Sequence, residues 1–174
     1  MRASAPARVA VRLVAIAILA ELVTSGASPV SGQSIVVALP PLGSTARIRW
    51  DLEIVALRLI NEERATAGLI TLRSHAGLRL AARSHALEMV RQGYLSHRSR
   101  DGRTAQQRVL QLGIAVRIVG ENVAYATDVH AAHIAFMSSD VHRCGVLARD
   151  SRLVGIGIVG AAQGGVVIVE DFAK

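Results

Sequence analysis

The chain has 174 residues, a length that fits one domain preceded by a short leader. Hydrophobic residues make up 51% of it, so a sizeable core is available. Aromatic residues at 3% argue against the exposed ring platforms that bind single-stranded nucleic acid. The net charge is +7, but the arginines are scattered and form no dense basic run. This favours a soluble, arginine-rich surface, and we predict no nucleic-acid partner.

The N-terminus has the pattern of an export signal. Basic residues precede the short apolar run Leu13 to Ala20, and the small residues Ser25 and Ala27 stand where cleavage sites carry them. The run is far below the ~20 residues that a membrane span needs. The alternative is an uncleaved amphipathic segment or a mis-assigned start codon. We predict a signal peptide over 1–27, no transmembrane anchor after its cleavage, and a secreted or extracytoplasmic protein.

The segment that follows the leader has no clear periodicity. Pro40-Pro41 ends the short apolar stretch Val36 to Leu39, so residues 28–50 are predicted to be a linker or loosely ordered arm before one domain over 51–174. Cys144 is the only cysteine, and this domain must therefore rely on its core rather than on a disulfide. We expect Cys144 to be a half-buried small residue rather than a nucleophile paired with a histidine.

Four helices are predicted in the first part of the domain from apolar residues that recur with a period of 3.6. The residues expected to cap their N-termini are Asp51, Ser74, Thr104 and Asp128. Gln107 completes a T-x-x-Q capping box with Thr104. The glycines expected to end the first three helices are Gly68, Gly93 and Gly113.

The C-terminal part has the period-two pattern of β-strands. Apolar residues alternate with glycine from Val154 to Ile158, Gln163-Gly164-Gly165 predicts a turn, and the β-branched run Val166 to Val169 predicts a buried strand. A further strand is expected at Ile114 to Val119. Helices first and a hairpin last indicate an α+β fold, with helices packed around a mainly antiparallel sheet.

Two histidines and one glutamate are the residues in which chemistry is expected. His97 follows a predicted helix end, His142 follows the fourth helix in a polar turn, and Glu121 precedes an apolar stretch. Two imidazoles and a carboxylate can bind zinc with one open position, or can move protons. Their separations match no local metal signature. The residues alone therefore leave two alternatives open: the three side chains share a site, or they do not.

The other histidines have simpler interpretations. His85 lies on the apolar stripe of the second helix, which is typical of a hydrogen-bonded core histidine, and His75 can cap that helix or be exposed. His130 and His133 have an i, i+3 spacing that can hold a metal, but no third ligand is apparent near them.

Six short motifs occur along the chain in the order that they have in a known superfamily. They are Ile60-Asn61-Glu62-Glu63-Arg64-Ala65, Leu78 through Ala86-Leu87-Glu88-Met89, Ser96-His97, Gly120-Glu121-Asn122, Met137-Ser138-Ser139 with His142-Arg143, and Glu170-Asp171-Phe172. Together they resemble the CAP superfamily of cysteine-rich secretory proteins, antigen 5 and pathogenesis-related proteins, in its disulfide-free, SCP-like bacterial branch. The resemblance covers Glu53 to Phe172 and implies a three-layer α-β-α sandwich.

The resemblance also implies a cleft lined by two histidines and two acids. By motif, His97, Glu121 and His142 supply three of these, and they are the implied metal ligands. Asp101 is the substitute that the chain offers for the second acid. Phe136 stands where the family usually has Trp, and Gly145 stands where Asn is common.

These residues predict a binding protein more than an enzyme. The resemblance implies an exported domain whose His/Glu-lined cleft binds a divalent cation such as zinc, a small lipid-like ligand, or both. The partner would be a small ligand or an envelope component, and the domain is expected to be a monomer. The alternative is a metal-dependent hydrolase that acts on peptide or cell-envelope substrates, through a metal-bound water and a base.

Overall fold

The structure, a computed structural model, describes residues 17–22, 36–39, 46–161 and 164–174. The helices of this part are α1 (Trp50–Thr66), α2 (Ala76–Gln92), α3 (Ala105–Gln111), α4 (Val129–Ser138) and α5 (Asp140–Val146). Its strands are β1 (Ala17–Leu22), β2 (Val37–Ala38), β3 (Arg47–Ile48), β4 (Arg73–Ser74), β5 (Tyr94–Leu95), β6 (Ile118–Ala126), β7 (Leu153–Gly160) and β8 (Val166–Ala173).

The described strands form one large sheet and one small one. The large sheet has the order β1-β6-β8-β7-β3, and every pair along this path is antiparallel. The short strand β4 joins β7 in parallel, and β2 pairs with β5 as a separate two-stranded sheet. The predicted C-terminal hairpin is therefore present as β7 and β8, and it lies at the centre of the sheet.

Helices cover both faces of this sheet. Alternate residues of β6, β7 and β8 point to opposite faces of the sheet. Apolar side chains of these strands lie on both faces. One face packs against α1, α4 and α5 around Ile60 and Phe136, and the other packs against α2 and α3 around Met89 and Val109. This arrangement confirms the predicted α+β fold and its three α-β-α layers.

The glycines of β7 allow α2 to lie flush on the sheet. A Cβ atom at Gly155 would collide with Leu78, and one at Gly157 would collide with the backbone of Ala82 and Arg83. The alternation of glycine with Val154, Ile156 and Ile158 therefore gives β7 one side-chain face and one backbone face. The helix occupies the backbone face at a distance that a larger residue would not permit.

The end of α1 is held by two polar residues of the first motif. Arg64 is fully buried and donates to the carbonyl oxygens of Ile70, Val146, Ala148 and Ser151, at 2.8–3.4 Å. Asn61 exchanges two hydrogen bonds with the backbone of Leu72, at 2.7 and 3.1 Å. These contacts fix α1 to the loops around it, so the motif is part of the scaffold.

Two of the four predicted N-caps are correct. Thr104 and Gln107 form the capping box of α3, and Asp128 caps α4 through the backbone N–H groups of His130 and Ala131. Arg49 occupies the N-cap position of α1. Asp51 lies in the first turn of the helix and pairs with Arg49. His75, not Ser74, caps α2, since its Nδ1 accepts from the N–H of Leu78.

Three local predictions were wrong. The strand expected at Ile114 to Val119 begins at Ile118 and runs to Ala126, so Glu121 lies within a strand. The polar turn expected around His142 is the short helix α5. Cys144 is exposed rather than half-buried. The expected glycine turn is present at Gly164 and Gly165, which have φ of 96° and 83°, while Gln163 lies outside the described residues.

The predicted leader lies largely outside the described residues. Its described part, β1, pairs with β6 in a register that sets Glu21 opposite Glu121. In the predicted arm over 28–50, the described residues contribute β2 and β3. Both segment assignments stay predictions. Within the described residues, no helix is long and apolar enough to cross a membrane.

Candidate functional site

The polar centre of the molecule lies where β6 and β8 pair. Glu121 is opposite Asp171 in this ladder, and Asn122 is opposite Glu170. Because neighbouring residues of a strand point to opposite faces, Glu121 and Asp171 face the α2–α3 side while Asn122 and Glu170 face the α4–α5 side. All four residues are buried, so the sheet carries one polar pair on each face.

Glu121 is held from two directions. The Nδ1 atom of His97 lies 2.7 Å from Oε1 of Glu121, so the imidazole donates its hydrogen to the carboxylate. Arg108 of α3 donates to Oε2 of the same carboxylate and, at 2.9 Å, to the carbonyl oxygen of His97. Both oxygens of Glu121 are therefore engaged, and the three residues form a closed cluster that we call the Glu121 brace.

The two carboxyl groups on this face differ in ionisation. Burial alone would raise the pKa of Glu121, but Arg108 and the hydrogen bond from His97 outweigh it and lower that pKa to about 2. Burial, followed by the negative charge of Glu121, raises the pKa of Asp171 well above its usual range. Asp171 is therefore the neutral member of the pair and Glu121 the ionised one.

The pair on the other face is hydrogen-bonded, and its carboxyl group keeps its proton up to about pH 7. Nδ2 of Asn122 lies 3.2 Å from Oε2 of Glu170 and 3.4 Å from the carbonyl oxygen of His142. Burial raises the pKa of Glu170 to about 7, and the hydrogen bond from Asn122 only partly offsets this effect. His142 stacks on Phe136, with ring centroids 5.4 Å apart, and its Nδ1 lies 2.7 Å from Oγ of Ser139.

The loop 96–103 carries His97 into the Glu121 brace and is fixed at many points. The N–H of Arg100 donates to Glu88 at 2.7 Å, and the N–H of Arg98 donates to Oγ of Ser96 at 3.1 Å. Ser99 exchanges backbone hydrogen bonds with Arg103 and Gly102. Arg108 also donates to the carbonyl oxygen of Arg103 at 3.2 Å. The brace thus anchors the loop through Arg108, and the loop is also closed by its own backbone hydrogen bonds.

A surface pocket opens beside this loop. Its volume is about 340 Å³, at the lower end of the range for small-molecule sites. We call it the loop pocket; it is lined by Val36, Gln92, Tyr94, Ser96, Arg98, Ser99, Arg100 and Gly102. Ser96 and Arg98 flank His97 in sequence, so the segment that carries His97 into the brace also forms a wall of the pocket.

Comparison with known families agrees with this architecture. The family model described as CAP, the cysteine-rich secretory protein family, matches residues 57–172. The chain belongs to the CAP family. A comparison with curated protein sequences gives no match.

Solved structures of bacterial proteins are similar to this CAP domain. An outer surface protein from Borrelia burgdorferi has a TM-score of 0.67 at 19% identity, over 75% of this chain and 98% of that one. An extracellular protein with an SCP domain from Bacillus anthracis has a TM-score of 0.63 at 23% identity, over 70% of this chain and 39% of that one. A cysteine-rich secretory protein from Staphylococcus aureus has a TM-score of 0.59 at 20% identity, over 71% and 38%. The chain thus spans about two fifths of two of these proteins, and the likeness shows the fold.

Of the three predicted cleft residues, this CAP domain brings two into contact. His97 and Glu121 are hydrogen-bonded, whereas His142 packs against Phe136 in the core layer on the other side of β6. Among the described residues, no group of three or more His, Cys, Asp or Glu side chains is placed to hold a metal ion. Nε2 of His97 is buried and has no hydrogen-bond partner among the described residues. It is one available metal-ligand atom, and the neighbouring carboxylate of Glu121 is already bound by Arg108. This arrangement does not fit zinc with three protein ligands.

Asp101 is the residue predicted as a substitute for the second acid. It is exposed on the loop 96–103 and pairs with Arg103, at 2.7 Å. This hydrogen-bonded ion pair lowers the pKa of Asp101. The residues that complete the polar centre are instead Arg108 and Asp171.

Sequence reasoning missed these two residues, although each carries a readable signal. Arg108 lies between Ala105 and Val109 on the buried stripe of α3, where an arginine needs a partner. Asp171 follows Val167 and Val169 at period two on the face of β8 that packs under α2. A charged residue at a core position of an otherwise apolar pattern was the clue in both cases.

The remaining histidines have structural roles. His85 is 1% exposed, and its Nε2 donates to the carbonyl oxygen of Ser96 at 2.8 Å, as expected for a core histidine. Its Nδ1 lies 3.5 Å from Glu88, and this contact is the main reason that the pKa of Glu88 falls to about 2. His133 lies 3.6 Å from Glu63, and burial lowers its pKa.

Proposed function

We propose that this chain is an extracytoplasmic, non-enzymatic CAP domain that binds a small ligand in the loop pocket. The observation that carries the proposal is the double engagement of Glu121 by His97 and Arg108. A carboxylate with a pKa of about 2 and no open oxygen is a poor general base, because proton acceptance is most effective near the working pH. The brace serves instead to hold one wall of the pocket in place.

A rigid pocket wall is what a binding role requires. Binding loses less conformational entropy when the site is already formed, so bracing a loop improves affinity for whatever the pocket holds. Residues 96–103 are held by the Glu121 brace, by Glu88 and by their own backbone hydrogen bonds. The pocket is also small, which favours a small molecule over a macromolecular partner.

The extracytoplasmic location rests on two observations. The first is the export-signal pattern at the N-terminus. The second is the description of two similar structures as an extracellular protein and an outer surface protein.

The experiment that tests this function measures both ligand binding and substrate turnover. Purified protein is incubated with a membrane-lipid extract and examined by native mass spectrometry, and a panel of esters and peptides is assayed in parallel. We expect the native mass to include one small molecule bound in stoichiometric amount, which organic solvent releases. We expect no turnover of the esters or peptides. Turnover by the wild type that His97→Gln abolishes and the exposed Arg117→Gln retains would overturn the proposal. So would a wild type that takes up no small molecule.

A further inference from the structure

We propose a second binding site at the edge of the large sheet, where an open position of β7 takes a small, flat, neutral amide such as an aromatic carboxamide or a lactam. The site is a pocket of about 280 Å³, lined by Ile156 of β7, by one face of α1, and by Ser74 and two arginines of α2. We call it the edge pocket. It shares no lining residue with the loop pocket and does not rest on the function proposed there.

The outer edge of β7 is covered at both ends but not in the middle. The short strand β4 pairs with β7 at Leu153 and Val154, and β3 pairs with it at Val159 and Gly160. Neither strand reaches Ile156, which lines the edge pocket between them. The gap is one ladder position wide.

The backbone of Ile156 faces this gap. On either side of it, the carbonyl oxygens of Val154 and Ile158 point outward and accept from the N–H groups of His75, at 3.0 Å, and Arg49, at 2.8 Å. Backbone groups alternate in direction along a strand of an antiparallel pair, so Ile156 directs its N–H and its C=O to the same edge. Among the described residues, neither group has a hydrogen-bond partner on that side. One donor and one acceptor therefore remain open at a position where backbone groups are nearly always paired.

This open pair determines the shape of the ligand. Both groups of Ile156 are satisfied only by a molecule that carries its own donor and acceptor side by side. A trans peptide bond holds its N–H and C=O on opposite sides, and an added peptide strand needs the room along the edge that β3 and β4 occupy. A primary carboxamide or a lactam has the two groups side by side and can approach end-on.

The apolar wall of the edge pocket favours a flat ring on this amide. Trp50 is the only tryptophan of the chain and is 65% exposed, and Ile54 is 62% exposed. With Leu57 they lie at i, i+4 and i+7 on one face of α1, and all three line the pocket. Aromatic rings stack on one another in offset arrangements, so the indole of Trp50 offers a surface for an aromatic ligand.

The charges of the edge pocket favour a neutral ligand. Glu53 is its buried acid, and Arg83 donates to both of its oxygens, at 2.8 and 2.6 Å. The buried negative charge is therefore already balanced within the protein. Arg79 donates to Oγ of Ser74 at 3.3 Å, on the polar side of the pocket.

Four probes separate the elements of this proposal by NMR titration of the isotope-labelled full chain. They are benzamide, N-methylbenzamide, benzoate and acetamide. We expect benzamide to bind and to shift the amide resonance of Ile156. The other three should bind at least about tenfold more weakly, because N-methylbenzamide holds its N–H opposite its C=O, benzoate has no donor and acetamide has no ring. Equal affinity of any of these three would overturn the element that it lacks, and failure of benzamide to bind would overturn the site.

Matched variants place the ring contact. Trp50→Ala and Ile54→Ala should each weaken benzamide binding, and Trp50→Ala should do so by at least about tenfold. Ile134→Ala changes an isoleucine of α4 that is 66% exposed and lies outside the edge pocket, so it should leave the affinity unchanged. Unchanged affinity in the Trp50 variant would contradict stacking on the indole.

Hydrogen exchange tests the open position without any substitution. Relative to an unfolded peptide, the N–H of Ile156 should exchange faster than the N–H of Gly157, which points into the β7–β8 ladder. Saturating benzamide should slow the exchange of Ile156 and leave that of Gly157 unchanged. Equal protection of the two N–H groups in the free protein would mean that the position is closed, and would overturn the proposal.

Discussion

Glu121 and Asp171 lie opposite each other in the β6–β8 ladder, and their pKa values move in opposite directions. The difference arises from their neighbours: His97 and Arg108 bind both oxygens of Glu121, while no cationic side chain is hydrogen-bonded to Asp171 within the described residues. A buried pair of like charges is unfavourable, so the proton stays on the carboxyl group without a cation. One negative charge remains, and Arg108 balances it.

The first prediction contrasts the two members of this pair. Asp171→Asn replaces a neutral carboxyl with a neutral amide, so we expect the free energy of unfolding at pH 7 to change by less than about 1 kcal/mol. Glu121→Gln leaves Arg108 buried without its counter-charge and should cost about 3–5 kcal/mol. Urea unfolding followed by circular dichroism measures both values. Equal costs for the two variants would mean that Asp171 is ionised.

The second prediction concerns the coupling between Arg108 and Glu121. Arg108→Met should destabilise the protein by about 3–5 kcal/mol, because it leaves an ionised Glu121 in the core. The double variant with Glu121→Gln should lose clearly less than the sum of the two single losses, since neither buried charge is then left alone. Arg117→Met, at an exposed arginine, serves as the control and should cost little. Additive losses in the double variant would contradict a direct interaction.

The third prediction is a pH dependence that originates at Glu170. Its folded-state pKa of about 7 lies above the ordinary value of 4.5, so between these pH values the folded protein keeps a proton that the unfolded chain has released. Stability therefore falls as pH rises through this window, by about 3 kcal/mol once pH exceeds 7. Below pH 4.5 both states hold the proton and the contribution vanishes.

Glu170→Gln tests this dependence because the amide can still accept from Asn122 but cannot ionise. The variant should be more stable than the wild type at pH 8 and nearly equal to it at pH 4.5, by urea unfolding at each pH. Glu62→Gln, on the exposed face of α1, is the matched control and should follow the wild type at both pH values. A variant that is less stable than the wild type at pH 8 would show that an ionised Glu170 is favourable.

The fourth prediction concerns the buried arginine of the first motif. Arg64→Met removes the donor to four carbonyl oxygens and should cost at least about 3 kcal/mol, because buried acceptors are left without partners. Arg58→Met, on the exposed face of the same helix, should cost less than about 0.5 kcal/mol. Thermal unfolding of both variants measures the difference. A small loss at Arg64 would mean that water replaces the guanidinium.

The sequence predicted the layers of this fold better than it predicted the site. Periodicity identified α1 to α4 and the β7–β8 hairpin because each buries one continuous apolar stripe. It missed that β6 extends through Glu121, because a buried carboxylate in a strand interrupts the pattern that identifies strands. The family resemblance grouped His97 with Glu121, and the structure places the two in contact across 24 residues, a separation that no local rule could bridge.

The geometry of β6 determines which of the predicted site residues meet. Adjacent residues of β6 point to opposite faces, so the Gly120-Glu121-Asn122 motif sends Glu121 towards His97 and Asn122 towards the backbone of His142. A linear motif does not show on which side of a sheet each of its residues lies. Arg108 and Asp171 were missed because their importance depends on the charge that faces them.

The measurement that tests the Glu121 brace most directly is the effect of zinc on thermal stability. The melting temperature of the wild type and of the His97→Ala, His142→Ala double variant is determined by calorimetry with and without zinc chloride. Since Glu121 is committed to His97 and Arg108, zinc should change the melting temperature of both proteins by the same amount. A zinc-dependent increase of about 5 °C or more in the wild type, absent from the double variant, would show that these histidines bind the ion with Glu121 orienting His97, and would contradict a purely structural role for the brace.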